Sequence, residues 1–138
     1  MVIAVDFDGT IVEHKYPKIG KEIPFSVETL KMLQKEGHKL VLWTVREGHL
    51  LDEATQWCEA KGLTFYAVNQ DYPEQGSEST TCSRKLKADM FIDDRNLGSL
   101  PDWGLIYRMI KENLNFEDIY SNNEDLIKKK KKKRWWFR

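Results

Sequence analysis

A chain of 138 residues with 41% hydrophobic content can close one core and leaves little room for a second domain. The formal charge is zero, but Lys128 to Arg138 hold eight of the 22 basic residues and no acid, so the preceding 127 residues carry 14 basic against 22 acidic groups. That acidic body is excluded as a nucleic-acid binder by itself, because neutralising phosphates needs clustered Lys or Arg.

The first predicted element is Val2 to Val5, a wholly apolar run of the kind found in a strand covered on both faces. Between Pro24 and Gly37 the residues Val27, Leu30 and Leu33 recur at helical spacing, with Pro near the start and Gly just past the end, which predicts an amphipathic helix. Lys39 to Trp43 reads as a second strand. Glu47 to Lys61 reads as a second helix, with Leu50, Leu51, Ala54, Trp57 and Cys58 on one face and Gly62 as its stop. Phe65 to Val68, Met90 to Ile92 and Leu105 to Tyr107 are expected as the third, fourth and fifth strands. Strands alternating with helices predict right-handed βαβ units and an α/β fold with a parallel sheet of about five strands.

The polar residues gather at the ends of these runs. Asp6 and Asp8 follow the first strand, Thr44 the second, Asp93 and Asp94 the fourth. In an open parallel sheet the carboxyl ends of the strands share one edge, where ligands bind. Asp6 and Asp8 are two apart, so in extended chain their carboxylates point to one side. Unit charges about 4 Å apart repel by about 4 kcal/mol at an effective dielectric near 20, a large share of a domain's typical stability of about 5–15 kcal/mol. A positive partner is required. Carboxylate and backbone oxygens are the ligands Mg²⁺ prefers. Lys85 and Lys87 precede the fourth strand and either reaches the same edge. The competing reading of Phe7-Asp8-Gly9-Thr10 is a two-residue hairpin turn joining Val5–Phe7 to Thr10–Val12, which leaves Thr44 and the second acidic pair unexplained.

These residues in this order resemble the haloacid dehalogenase-like (HAD) hydrolase superfamily. Asp6-Phe-Asp8-Gly-Thr10 matches its DxDxT motif, Thr44 its second motif, Lys85 its lysine motif, with Lys87 as rival, and Asp93-Asp94 its acidic fourth motif. The match covers roughly residues 1–107. The resemblance implies a single Rossmann-like three-layer sandwich over residues 1–114. It also implies phosphate-monoester hydrolysis through an aspartyl-phosphate, with Asp6 as nucleophile and Asp8 as general acid and base. By the same likeness Asp6, the Asp8 carbonyl, Asp93 and, through water, Asp94 hold Mg²⁺, while Thr44 and Lys85 bind the phosphoryl oxygens. Thr10, Arg46 and His49 are candidates for substrate contact, Asn69 is a weaker candidate, and Glu13 and His14 read as exposed hairpin residues. Ile11–Ile23 and Asn69–Arg84 are too short to fold as a cap domain, so the site is expected to be open to a phosphorylated small molecule or macromolecule, or closed by a second subunit.

Two rivals differ in kind. A phosphotransfer receiver domain would carry an Asp after the third strand, where Asn69 stands. A catalytically idle scaffold would act through its tail: residues 115–138 turn polar and then Lys-rich and aromatic, a composition expected to be disordered and also suited to RNA or anionic lipid. Two cysteines without CxxC spacing, no secretory segment ahead of Asp6 and no apolar run near the roughly 18 residues of a membrane span predict a soluble cytoplasmic protein.

Overall fold

In the computed structural model, residues 1–73 and 83–121 are described. The continuous apolar run Val2–Val5 forms β1, followed by α1 (Ser26–Lys35), β2 (Lys39–Leu42), α2 (Gly48–Ala60), β3 (Ala67–Val68), β4 (Met90–Ile92) and α3 (Trp103–Lys111). The sheet has the order β3-β2-β1-β4 with every pairing parallel. β1 is paired on both sides, and its residues are apolar on both faces because Ile3, Ala4 and Val5 are all buried. Its register sets Ile3 beside Leu40 and Met90, and Val5 beside Leu42 and Ile92.

One face carries small residues, Ala4, Val41 and Ala67, closed by Leu86 and packed with Val2, Trp43, Ala88 and Phe91. The alternating positions Ile3, Val5, Leu40 and Leu42 are fully buried on the other. The steps β1 to β2 and β2 to β3 run in the same direction, so right-handed crossovers put α1 and α2 on one face. α1 buries Val27, Leu30 and Leu33, the predicted stripe, and ends where Gly37 takes φ 91° and the His38 N–H reaches the Leu33 carbonyl. α2 buries Ala54 and Cys58, one turn apart.

The expected fifth strand is absent from this sheet of four strands: residues 105–107 lie inside α3. Trp103, Ile106 and Ile110 are all buried, and their spacing of three and four is the period of a helix. Asp102, a residue type favoured at an N-cap, precedes the first helical residue. Three apolar residues in a row were too short a window to separate the two periods.

The hairpin reading of Asp8-Gly9 is also overturned. The Phe7 carbonyl receives the N–H groups of Thr10, Ile11 and Val12, a tight turn rather than a strand pair. Pairing occurs further on, where Val12 faces Glu22, the Glu13 N–H donates to the Lys21 carbonyl and the Ile23 N–H to the Ile11 carbonyl. Residues 11–23 thus form a short arm. Its base is tied to α1 by the buried Ser26 hydroxyl, which donates to the Ile11 carbonyl at 2.8 Å.

The chain divides into two compact units, Met1–Trp103 and Gly104–Arg138. Within the second, a further helical turn over 116–121 is opened by reciprocal bonds between Asn115 and Asp118, and the Phe116 and Tyr120 rings stack at 6.3 Å. The basic aromatic segment Lys128–Arg138 lies outside the described residues, as does part of the interval Asn69–Arg84. No helix among the described residues is long and apolar enough to cross a membrane.

Candidate active site

The ladders of the sheet continue one residue past the strand ends and deliver the polar residues to one rim. The Asp6 N–H donates to the Ile92 carbonyl, the Trp43 N–H to Val5 and the Asn69 N–H to Leu42. Asp6, Asp93 and Asp94, all half-buried, bring one carboxylate oxygen each to within 4.8 Å of the others. Sequence-distant acids therefore meet as expected from the open-sheet rule.

Thr10 fastens this cluster. Its fully buried hydroxyl lies 3.0 Å from Asp6 Oδ2 and 3.4 Å from Asp94 Oδ1, and accepts the Asp94 N–H at 3.1 Å. Its carbonyl accepts the indole N–H of buried Trp103. Gly9 leaves room for Asp94: its φ is +86°, and a Cβ there would fall against the carboxylate, 2.7 Å from its carbon. Asp93 accepts the Arg95 N–H at 2.8 Å, which fixes the second acid of the cluster.

Burial first and the Asp93 carboxylate second push the Asp6 pKa up to about 7, against the opposing hydrogen bonds from Thr10 and the Phe7 backbone. Asp94 adds to the rise. Negative charge in this cluster is therefore under-compensated by the protein.

Asp8 sits differently. It is buried, and both oxygens of its carboxylate are held by one edge of the Arg46 guanidinium, Nε to Oδ2 at 2.7 Å and Nη2 to Oδ1 at 2.8 Å. The Asp8 hydrogen bond raises the Arg46 pKa above its usual value, against the opposing effect of burial. Thr44 is positioned by Asn69, whose φ of 54° turns its Oδ1 onto the Thr44 N–H at 2.8 Å. The Thr44 Oγ1 accepts the Arg46 N–H, which leaves the hydroxyl proton free to donate elsewhere.

A cleft of about 530 Å³ opens over this rim, lined by Asp6, Asp8, Asp93, Thr44, Arg95 and Val45, and by His14, Tyr16 and Trp43. His14 and Tyr16 come from the arm, so a residue read as exposed hairpin stands on the wall of the cleft. Two expected substrate contacts, Thr10 and Arg46, are fully buried with their polar atoms engaged by protein groups. His49 is exposed at the start of α2 and is not among the lining residues. Lys85 is exposed, with its ammonium 5.8 Å from the centre of the Phe91 ring, and Lys87 donates its N–H to Asp71. Neither lysine lines the cleft; among the described residues Arg95 and His14 are its basic side chains. Tyr16, Trp43, Val45 and Arg95 were missed. Trp43 and Val45 flank Thr44, and Arg95 follows the acidic pair, so chain adjacency was the available signal, whereas nothing in the sequence marks Tyr16.

No family model matches the chain. A curated Bacillus cereus protein named "Putative nucleotidase" is 24% identical over 87 residues, 63% of this chain, and the chain spans about half of its length (46%). A solved structure, that of a conserved protein coded by a locus from Bacteroides thetaiotaomicron, superposes with a TM-score of 0.82 at 70% identity, covering 87% of this chain and 97% of the other. At that identity and coverage, the chain belongs to the same family as the conserved Bacteroides protein.

Proposed function

We propose that the cleft hydrolyses phosphate monoesters with Asp6 as nucleophile and a bound Mg²⁺, as the resemblance to the HAD hydrolases implies. The observation that carries this is the cluster of Asp6, Asp93 and Asp94 oxygens within 4.8 Å, with Asp6 driven up to about 7 by burial and its neighbours. Such a set of hard oxygen donors with excess negative charge fits Mg²⁺, which Asp6, Asp93, the Asp8 carbonyl and, through water, Asp94 would hold. The ion supplies positive charge against which phosphoryl oxygens are stabilised.

Asp6 attacks phosphorus, forming the aspartyl-phosphate as the bond to the leaving oxygen breaks. Asp8, protonated when the ester binds, gives that oxygen its proton and then takes one back from the water that attacks phosphorus, which releases phosphate and restores both Asp6 and the Asp8 acid. Thr44 donates its hydroxyl proton to a phosphoryl oxygen, and the further cation at the cleft is Arg95, in place of the Lys85 that the resemblance implies. The leaving group lies against His14, Tyr16, Trp43 and Arg95. Two aromatic rings and an imidazole suit a flat ring, and the name of the Bacillus relative supports nucleotides as substrates to try.

The direct test is hydrolysis of p-nitrophenyl phosphate with Mg²⁺ and with EDTA; turnover is expected with the metal and a loss of about a hundredfold or more without it. Equal rates in both would overturn the metal assignment. Metal binding also has a pH signature. With Asp6 at about 7 in the folded protein against the usual 3.8, the folded state holds a proton between these values that the unfolded chain has lost. The metal-free protein therefore loses stability from this group as pH rises from about 4 to 7, and the full penalty remains above 7. Thermal melts with and without MgCl₂ are expected to show a larger rise in Tm at pH 8 than at pH 5.

A further inference from the structure

Arg46 is fully buried, the kind of group that is rarely inside unless paired. A guanidinium has five N–H bonds, and all five are used. Nε donates to Asp8 Oδ2, Nη2 to Asp8 Oδ1 and to the Lys18 carbonyl at 3.1 Å, and Nη1 to the carbonyls of Pro17 at 3.1 Å and Leu50 at 3.4 Å. Two aromatic rings are close as well: the guanidinium carbon lies 5.3 Å from the centres of both the Phe7 and the Tyr16 rings. Nothing on this side chain remains for a substrate.

The partners say what the group joins. Asp8 belongs to the turn after β1, Pro17 and Lys18 to the arm, and Leu50 to α2. The arm presents His14 and Tyr16 to the cleft, so one guanidinium fixes both the Asp8 carboxylate and the wall across from it. We infer that Arg46 is a positioning residue that acts on hydrolysis through Asp8: by locking the carboxylate to the arm, it sets where the leaving-group oxygen receives its proton. The inference rests on the phosphatase reading of the site, with Asp8 as proton donor. A lysine cannot replace it, because one ammonium has three donors and no planar fork.

The test uses the full chain with Mg²⁺ and two esters of similar shape, p-nitrophenyl phosphate, whose phenolate leaves without a proton, and p-nitrobenzyl phosphate, whose alkoxide needs one. In Arg46→Lys, the first step, read as single-turnover release of the alcohol at saturating ester, is expected to slow about a hundredfold for the benzyl ester, the scale of general acid catalysis, and less than about fivefold for the phenyl ester, with KM for both within about twofold; the later hydrolysis step is common to both. An equal fall for both esters would reduce Arg46 to a general structural role, and a rise confined to KM would make it a substrate contact; either overturns the inference while the phosphatase reading stands. Wild-type protein inactive on both esters would overturn the reading and the inference together. Should Arg46→Lys not fold, the wild type answers by ¹⁵N NMR. The Arg46 Nε–H is expected to exchange slowly with water at pH 8 and to keep its shift when inorganic phosphate and Mg²⁺ are added; fast exchange, or a shift on adding phosphate, overturns the inference.

Discussion

Replacing Asp6 by Asn is expected to lower hydrolysis of p-nitrophenyl phosphate by at least about a thousandfold while making the metal-free protein more stable at pH 8. Loss of a nucleophile removes a covalent route that the remaining groups cannot supply, and comparable losses in other hydrolases are of that order or larger. The stability gain follows from the same geometry. At pH 8 the Asp6 carboxylate is half-buried beside Asp93 and Asp94, and a neutral amide ends that repulsion while still accepting the Thr10 hydroxyl. A protein that melts higher and turns over far less has lost chemistry rather than structure. Activity within about tenfold of wild type would remove Asp6 from the nucleophile's place, and a lower melting temperature would remove the electrostatic account of the cluster.

Replacing Arg46 by Met is expected to cost about 3–5 kcal/mol, because it strands a carboxylate in the interior, and to lower Tm by about 10–20 °C. Asp8 is 7% exposed and the arginine 0%, so water meets the carboxylate only from the cleft and does not replace the buried fork. The double variant Arg46→Met with Asp8→Leu is expected to recover much of that loss, since removing both charges leaves no unpaired ion, although the Pro17, Lys18 and Leu50 carbonyls still lose a donor. Urea melts of the three proteins give the comparison. An Arg46→Met variant within about 1 kcal/mol of wild type, or a double variant no better than the single, would contradict the account of this pair.

Much of the scaffold was legible because the parallel sheet writes itself as short apolar runs. Val2–Val5, Lys39–Leu42 and Met90–Ile92 are apolar but for the exposed Lys39 at one strand's start, and carry no polar alternation to confuse the period. The acidic cluster was legible for a related reason: strand ends are sequence landmarks, and a parallel sheet gathers them at one rim. Leu105–Tyr107 was misread because three residues hold less than one helical turn of information, while the period was carried by Trp103, Ile106 and Ile110 around it. Arg46 was misread for a different reason. A charged residue at a helix start is ordinarily solvated, and its burial depends on a carboxylate 38 positions away and on two arm carbonyls, relations that no local pattern records. The cleft wall from the arm was hidden in the same way, since the path of residues 11–23 follows from its pairing with itself rather than from composition.

The strand order also has a consequence for synthesis. β1 is the first of the four strands along the chain yet is an inner strand, and β4, the last of the sheet, closes one of its sides. Until β4 has been made and has docked, the sheet therefore exposes an unpaired β1 edge open to adventitious strand addition. It holds one acid of the three, and the acidic cluster is assembled only when β4 docks.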